Sequence, residues 1–180
     1  MKIKAGLLPP IASSSIILRF FTPKDASGIY LMSQEPGWRR WLPDQVYDSR
    51  EHALAVIRYL INQYREPADP VLAPYVLGVC LKGSGEFIGH VGLSPLDGQV
   101  EIGYSIAVKQ QGKGYASEAV RTMAKWALPH FSLPRILGVV STANVSSCRV
   151  LERAGFILIS ESKGNLHGRS GLVRVYEKTR

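Results

Sequence analysis

Apolar residues along this chain fall into two kinds of pattern: short β-type runs, and sets spaced three or four residues apart. Ile16–Phe21 predicts a first strand. Thr22 follows as a helix N-cap, supported by Pro23 at the first helical position and Asp25 in the first turn. That helix should reach about Gln34, where Glu35-Pro36-Gly37 stops it, leaving Trp38, Trp41 and Leu42 in a loop with Arg39 and Arg40. Asp48 or Ser49 can cap a second helix carrying Leu54, Ile57, Leu60 and Ile61 on one face, and Pro67 and Pro70 end it. Tyr75–Leu81, Phe87–Leu93 and Val100–Val108 then predict an antiparallel meander turned at Gly83-Ser84-Gly85 and Asp97-Gly98. Ala116, Ala119, Val120, Met123, Ala124 and Ala127 share one face of a helix ending at Pro129. Ile136–Val140 predicts a buried strand and Val145–Ala154 a helix with Gly155 as its left-handed cap. Phe156–Ser160 and Leu172–Glu177 predict the last strands, joined by a polar, Gly-rich loop. The order predicts an α/β (α+β) fold: residues 1–15 form a loose arm and 16–180 one domain without repeats.

Bulk properties narrow the functions only slightly. At 180 residues the chain can bury the core of one domain. No apolar run approaches the ~18 residues of a membrane helix. Pro9 and Pro10 break the stretch that Lys2 and Lys4 would otherwise turn into a signal peptide. Cys80 and Cys148 have no metal-ligand or redox spacing and read as two reduced, buried thiols of a cytoplasmic protein. Most of the +8 net charge lies in residues 71–180, with 13 Lys and Arg against 7 Asp and Glu. That asymmetry implies an acidic partner: a nucleotide cofactor, RNA or an anionic surface. The basic residues are scattered and not interleaved with stacking aromatics, so neither a nucleic acid nor a membrane is the expected partner.

The chemistry concentrates in Val100–Ala127, where a strand leads through Gln110-Gln111-Gly112-Lys113-Gly114-Tyr115-Ala116-Ser117 into a helix. Glycines between a strand and a helix N-terminus let several N–H groups point at one place, and the helix dipole adds positive potential. Lys113 adds a full charge, so the loop suits a phosphate or pyrophosphate. It is not a P-loop, since Gly112-Lys113 is followed by Gly114. Nor is it a dinucleotide fingerprint, since Ser117 stands at the third glycine position and the preceding strand belongs to a meander. A plain tight turn remains the alternative.

Gln111-x-x-Gly114-x-Ala116 resembles the acetyl-CoA pyrophosphate motif of the GNAT superfamily of N-acetyltransferases. Asn144-x-x-Ser147-x-x-Val150-Leu151-Glu152-x-x-Gly155-Phe156 is similar to its second cofactor-proximal motif. Ile17-Leu18-Arg19-Phe20-Phe21-Thr22 and Trp41-Leu42-Pro43 resemble the start of the Rim-type branch, named for enzymes that acetylate ribosomal-protein N-termini. The resemblance implies a mixed, mostly antiparallel sheet with helices on both faces and two strands splayed at the cofactor site. It also implies acetyl-CoA as cosubstrate and no metal. The pyrophosphate would meet the amides of Gly112–Ser117, and the pantetheine arm Ile106, Ala107, Val108 and Asn144. Glu101 would be the base that deprotonates the amine, directly or through water. Many members carry a tyrosine acid seven residues after the asparagine, but that position is Leu151 here. The Rim-type branch instead has a serine three residues after the asparagine, which is Ser147, as thiol contact or proton donor.

Each assignment competes with a plainer one. Asn144 can be a helix cap alone, Ser147 an ordinary small helix residue, and Glu101 a solvated strand carboxylate. Trp38, Trp41 and His90 can line the acceptor cleft or simply pack. Cys148 has no evident activating neighbour and reads as buried. The expected activity is acetyl transfer to a protein or peptide N-terminus, with a ribosomal protein among the candidates, or to a small amine, by a monomer or homodimer. A non-catalytic acyl-CoA-binding regulatory domain and an RNA- or ribosome-associated basic protein remain alternatives.

Overall fold

The computed structural model describes residues 8–65 and 67–180, so residues 1–7 of the expected arm lie outside the described residues. The rest of the arm is not all loose: β1 (Ile11–Ala12) pairs antiparallel with β2 (Ile16–Arg19). After Thr22 and a 3-10 turn at Pro23–Asp25 comes α1 (Ala26–Ser33). The buried Asp25 carboxylate accepts from both Arg19 guanidinium nitrogens at 2.7 and 2.8 Å and from the Thr22 N–H, tying β2 to the start of α1.

Pro36 then begins a helix where the sequence suggested only a stop. α2 (Pro36–Trp41) carries Trp38 and Trp41, because proline at a first helical position lacks only an N–H that would have no partner there. A 3-10 turn at Pro43–Gln45 leads to α3 (Arg50–Asn62), capped by Ser49 Oγ accepting from the His52 N–H. β3 (Tyr75–Leu81), β4 (Phe87–Leu96) and β5 (Gln99–Ile106) form the meander, with Asp97 and Gly98 at φ 46° and 73° in the β4–β5 turn. α4 (Tyr115–His130), β6 (Arg135–Ser141) and α5 (Val145–Arg153) follow.

The expected C-terminal loop is instead a long hairpin, β7 (Ile157–Leu166) and β8 (Arg169–Thr179), turning at His167-Gly168 with both φ values positive. Sequence reading missed its outer half because Gly164 and Gly171, poor strand formers, pair across it.

The eight strands form one sheet in the order β1-β2-β3-β4-β5-β6-β8-β7, antiparallel except between β5 and β6. Its two faces are buried separately. One carries the main core with Val120, Met123 and Ala127 of α4 and Leu151 of α5; the other carries Phe21, Ile29, Trp38 and Ile57 from the α1–α3 side. Helices therefore cover both faces, as expected. β5 and β6 share only one register pair, Glu101–Leu137, and part beyond it. That opening makes the site.

Candidate active site

A cleft of about 570 Å³ runs through the gap between β5 and β6. Ile102–Ile106 form one wall and Val139–Ser141 the other. The α4 N-terminus closes one end; α2 and the β7–β8 hairpin frame another side.

The α4 end is built for an anion. Gly112 and Gly114 hold φ values of 75° and 86°, which admit glycine without strain. Gly114 is the N-cap and so offers no side chain to the first-turn amides, and Tyr115, Ala116 and Ser117 line the cleft. A Cβ at either glycine would meet nothing within 4 Å, so the space in front of the loop is open. Gln111 has a structural task here: its Nε2 donates to the Ile106 carbonyl at 2.8 Å and folds the loop back onto β5. Lys113 is exposed, donates to Gln110 Oε1 at 2.7 Å and does not line the cleft.

The β5 backbone can be assigned group by group. Ala107 donates its N–H to the Ile88 carbonyl at 2.8 Å, which fixes the antiparallel ladder. By alternation, main-chain groups at odd positions face β4 while those of Tyr104 and Ile106 face the gap. Of the three consecutive residues Ile106, Ala107 and Val108 expected to meet pantetheine, Ile106 thus offers its N–H to the cleft. Ala107 is already paired, and the Val108 N–H donates to the Glu35 carboxylate at 3.1 Å. Tyr104 joins Ile106 in their place. Glu35 also lines the cleft, and sequence reading saw in it only part of a helix stop.

On the α5 side, Asn144 Oδ1 accepts from the Ser147 N–H at 3.2 Å, a true N-cap, and both residues line the cleft. The Ser147 hydroxyl lies 2.7 Å from the Tyr104 hydroxyl. Burial pushes the Tyr104 phenol well above its ordinary range, and the Ser147 hydrogen bond offsets only part of that, so it stays protonated. β5 thus brings a phenol to the hydroxyl of Ser147. The signal in the sequence was the alternation of β5, which puts Tyr104 on the face of Ile102 and Ile106, toward α4 and α5.

The opposite face of β5 carries Glu101, Gly103 and Ser105, across from Ser94, Gly92 and His90 of β4. Gly103 leaves open space there. Glu101 is half-buried just below and is not itself among the cleft-lining residues. Burial raises its carboxyl above the usual range, and the His167 charge opposes that rise. His90 does not line the cleft either: it is buried, its ring 5.1 Å from Trp38, and desolvation pushes it down to about 4, so it is neutral. Trp38 is buried but reaches the cleft wall, its Nε1 donating to the Gln45 carbonyl at 3.1 Å. Trp41 lines the cleft with the Arg40 guanidinium 4.6 Å above its ring. Cys148 and Cys80 are buried free thiols. Among the described residues, no three His, Cys, Asp or Glu side chains stand together as a metal-holding set, and no helix is long and apolar enough to cross a membrane.

The family model of the acetyltransferase (GNAT) domain matches residues 15–157. The chain belongs to the GNAT acetyltransferase family. As such it is an acyl-transferring enzyme of the N-acetyltransferase class. It is 28% identical over 153 residues to the uncharacterized N-acetyltransferase YoaA of Bacillus subtilis, covering 83% of this chain and 84% of that protein. In structure it is similar to the microcin C7 self-immunity acetyltransferase MccE, solved with acetyl-CoA and AMP (TM-score 0.78, 19% identity, 98% of this chain and 100% of that one). It is also similar to RimL, a ribosomal L7/L12 α-N-protein acetyltransferase solved with coenzyme A (TM-score 0.76, 17% identity, 94% and 97%).

Proposed function

We propose that this GNAT enzyme moves acetyl from acetyl-CoA to a primary amine, and that its acceptor is a peptide or protein N-terminus in preference to a polyamine. The observation that carries the transfer reading is one continuous cleft: an uncapped helix N-terminus with two positive-φ glycines, then the gap-facing backbone N–H groups of Tyr104 and Ile106, then the Tyr104–Ser147 hydroxyl pair. The open amides at the head of α4 suit a pyrophosphate, and the gap in the sheet suits an extended arm able to hydrogen-bond as a strand would. Bound acetyl-CoA would supply a thioester. This chain's residues would do the rest: the Ile106 N–H facing the gap favours charge growing on the acyl oxygen, and the hydroxyl pair gives the departing sulfur a proton.

The acceptor preference rests on charge. Arg40, Arg149, Arg153 and Arg169 line the cleft against a single carboxylate, Glu35. A polyamine, with several positive charges, would meet stronger repulsion there than the single ammonium of a neutral or acidic peptide. The test is thiol release from acetyl-CoA with an unblocked Ser-Glu-containing peptide, its N-acetylated copy and spermidine. Turnover is expected with the free peptide alone. Turnover with spermidine alone would refute the acceptor preference, and turnover with none of them the peptide reading.

Tyr104→Phe is expected to lower kcat about tenfold, with KM for acetyl-CoA changed less than about threefold. The effect is modest because a thiol, with pKa about 8.5, leaves readily without full protonation. A KM rise matching the kcat loss would assign the phenol to binding alone.

A further inference from the structure

One contact joins the two sides of the acceptor cleft: His167 Nδ1, at the tip of the β7–β8 hairpin, lies 2.8 Å from Asp44 Oδ2, in the turn after α2. The two residues are 123 positions apart. His167 lines the cleft with 31% of its side chain exposed. Its Nε2 has no hydrogen-bond partner among the described residues.

An alkyl ammonium has no lone pair and must lose a proton before it can attack. Among the described side chains lining the cleft, Glu35 supplies the one carboxylate and His167 the one imidazole, the two group types that can take that proton. The Glu35 carboxylate is engaged by the Val108 N–H, whereas His167 presents a free ring nitrogen. We propose that His167 is the group that deprotonates the acceptor amine, with Asp44 as the positioning residue that fixes its ring with the proton on Nδ1. Glu101, half-buried below the acceptor face, is close enough for its carboxyl to feel the His167 charge.

The balance is simple. His167 Nε2 takes one proton from the ammonium and releases it to solvent. The nitrogen then forms the N–C bond as the C–S bond breaks. The Tyr104–Ser147 pair protonates the departing sulfur, and the second nitrogen proton returns to that pair through solvent, so the hydroxyls are restored. An amine that is already neutral needs no such base, which gives the proposal its test.

This inference rests on the amine-acetylating reading above. His167 sits at φ 52° before Gly168, so His167→Asn creates an Asn-Gly turn, the sequence most at home in a two-residue hairpin. The asparagine amide can also keep the link to Asp44. Any loss of activity therefore does not come from a disordered hairpin, and unchanged acetyl-CoA affinity checks this. Ethylamine is a cation at neutral pH, while 2,2,2-trifluoroethylamine is largely uncharged. With both as probes at high concentration and thiol release as readout, His167→Asn should lose about 100-fold in kcat/KM on ethylamine. It should lose less than about threefold on trifluoroethylamine, and added imidazole should restore part of the ethylamine rate. Asp44→Asn should show the same selectivity with a smaller loss, about tenfold. Equal losses on both amines, or none on either, would overturn the assignment. If the parent protein binds acetyl-CoA yet acetylates neither amine, the amine-acetylating reading beneath it fails instead, and the two failures are told apart by the activity of the parent.

Discussion

Gly114→Glu is expected to leave the protein folded and to weaken acetyl-CoA binding by at least about 100-fold, roughly 2.7 kcal/mol. Gly114 is the N-cap of α4 with φ 86°, and a Cβ there meets no atom within 4 Å. The new side chain therefore has room, and its cost is the left-handed backbone, about 1–2 kcal/mol for an L-residue. A carboxylate beside a helix N-terminus recovers some of that. The same carboxylate would occupy the open first-turn amides that the account assigns to the pyrophosphate. Gly114→Ala pays the same strain without the charge and should lose less than about tenfold. Calorimetric titration with matched melting curves separates the two terms. A folded Gly114→Glu protein that binds acetyl-CoA within threefold of the parent would remove the loop from the cofactor site.

Gly89→Ala should have the largest effect on stability, a loss of about 3 kcal/mol or more. Gly89 stands opposite Ile106 at the cleft end of β4. A Cβ there would lie 2.1 Å from the Ser105 carbonyl oxygen and 2.9 Å from Ile106 Cδ1. The first of these is backbone and cannot step aside, so β4 and β5 must part where β5 forms the cleft wall. For a chain of this size such a loss lowers Tm by about 6–12 °C. Gly103→Ala is the control. It lies on the next strand and meets nothing within 4 Å, so Tm should hold while the methyl intrudes on the acceptor space. A Gly89→Ala protein melting within 2 °C of the parent would mean that β4 and β5 are not packed this closely.

The sequence made legible those parts of the fold whose determinants are local. Asp97-Gly98, Ser49 and Gly155 each act within a few residues, and the meander and helix boundaries they set are found close to where they were expected. The glycine loop was legible for the same reason, since its two left-handed turns fall at Gly112 and Gly114. Contacts between distant segments were not legible. The alternation of β5 gives the face on which Tyr104 lies but not its partner Ser147, 43 residues on, and nothing around Glu35 announces the Val108 amide. Pro36 misled because one residue type both ends a helix and begins one. The His167–Asp44 link was beyond reach because it needs the outer half of the hairpin, which the glycines at 164 and 171 disguised as loop.

The most direct test of the account is paired calorimetric titration of the parent protein with acetyl-CoA and with S-acetylpantetheine, which keeps the thioester and arm but lacks the pyrophosphate and nucleotide. The expected result is micromolar binding of acetyl-CoA and affinity at least about 100-fold weaker for S-acetylpantetheine, because the helix N-terminus supplies much of the binding. Equal affinity for the two, or no binding of acetyl-CoA, would contradict the assignment of the α4 loop and of the cleft behind it.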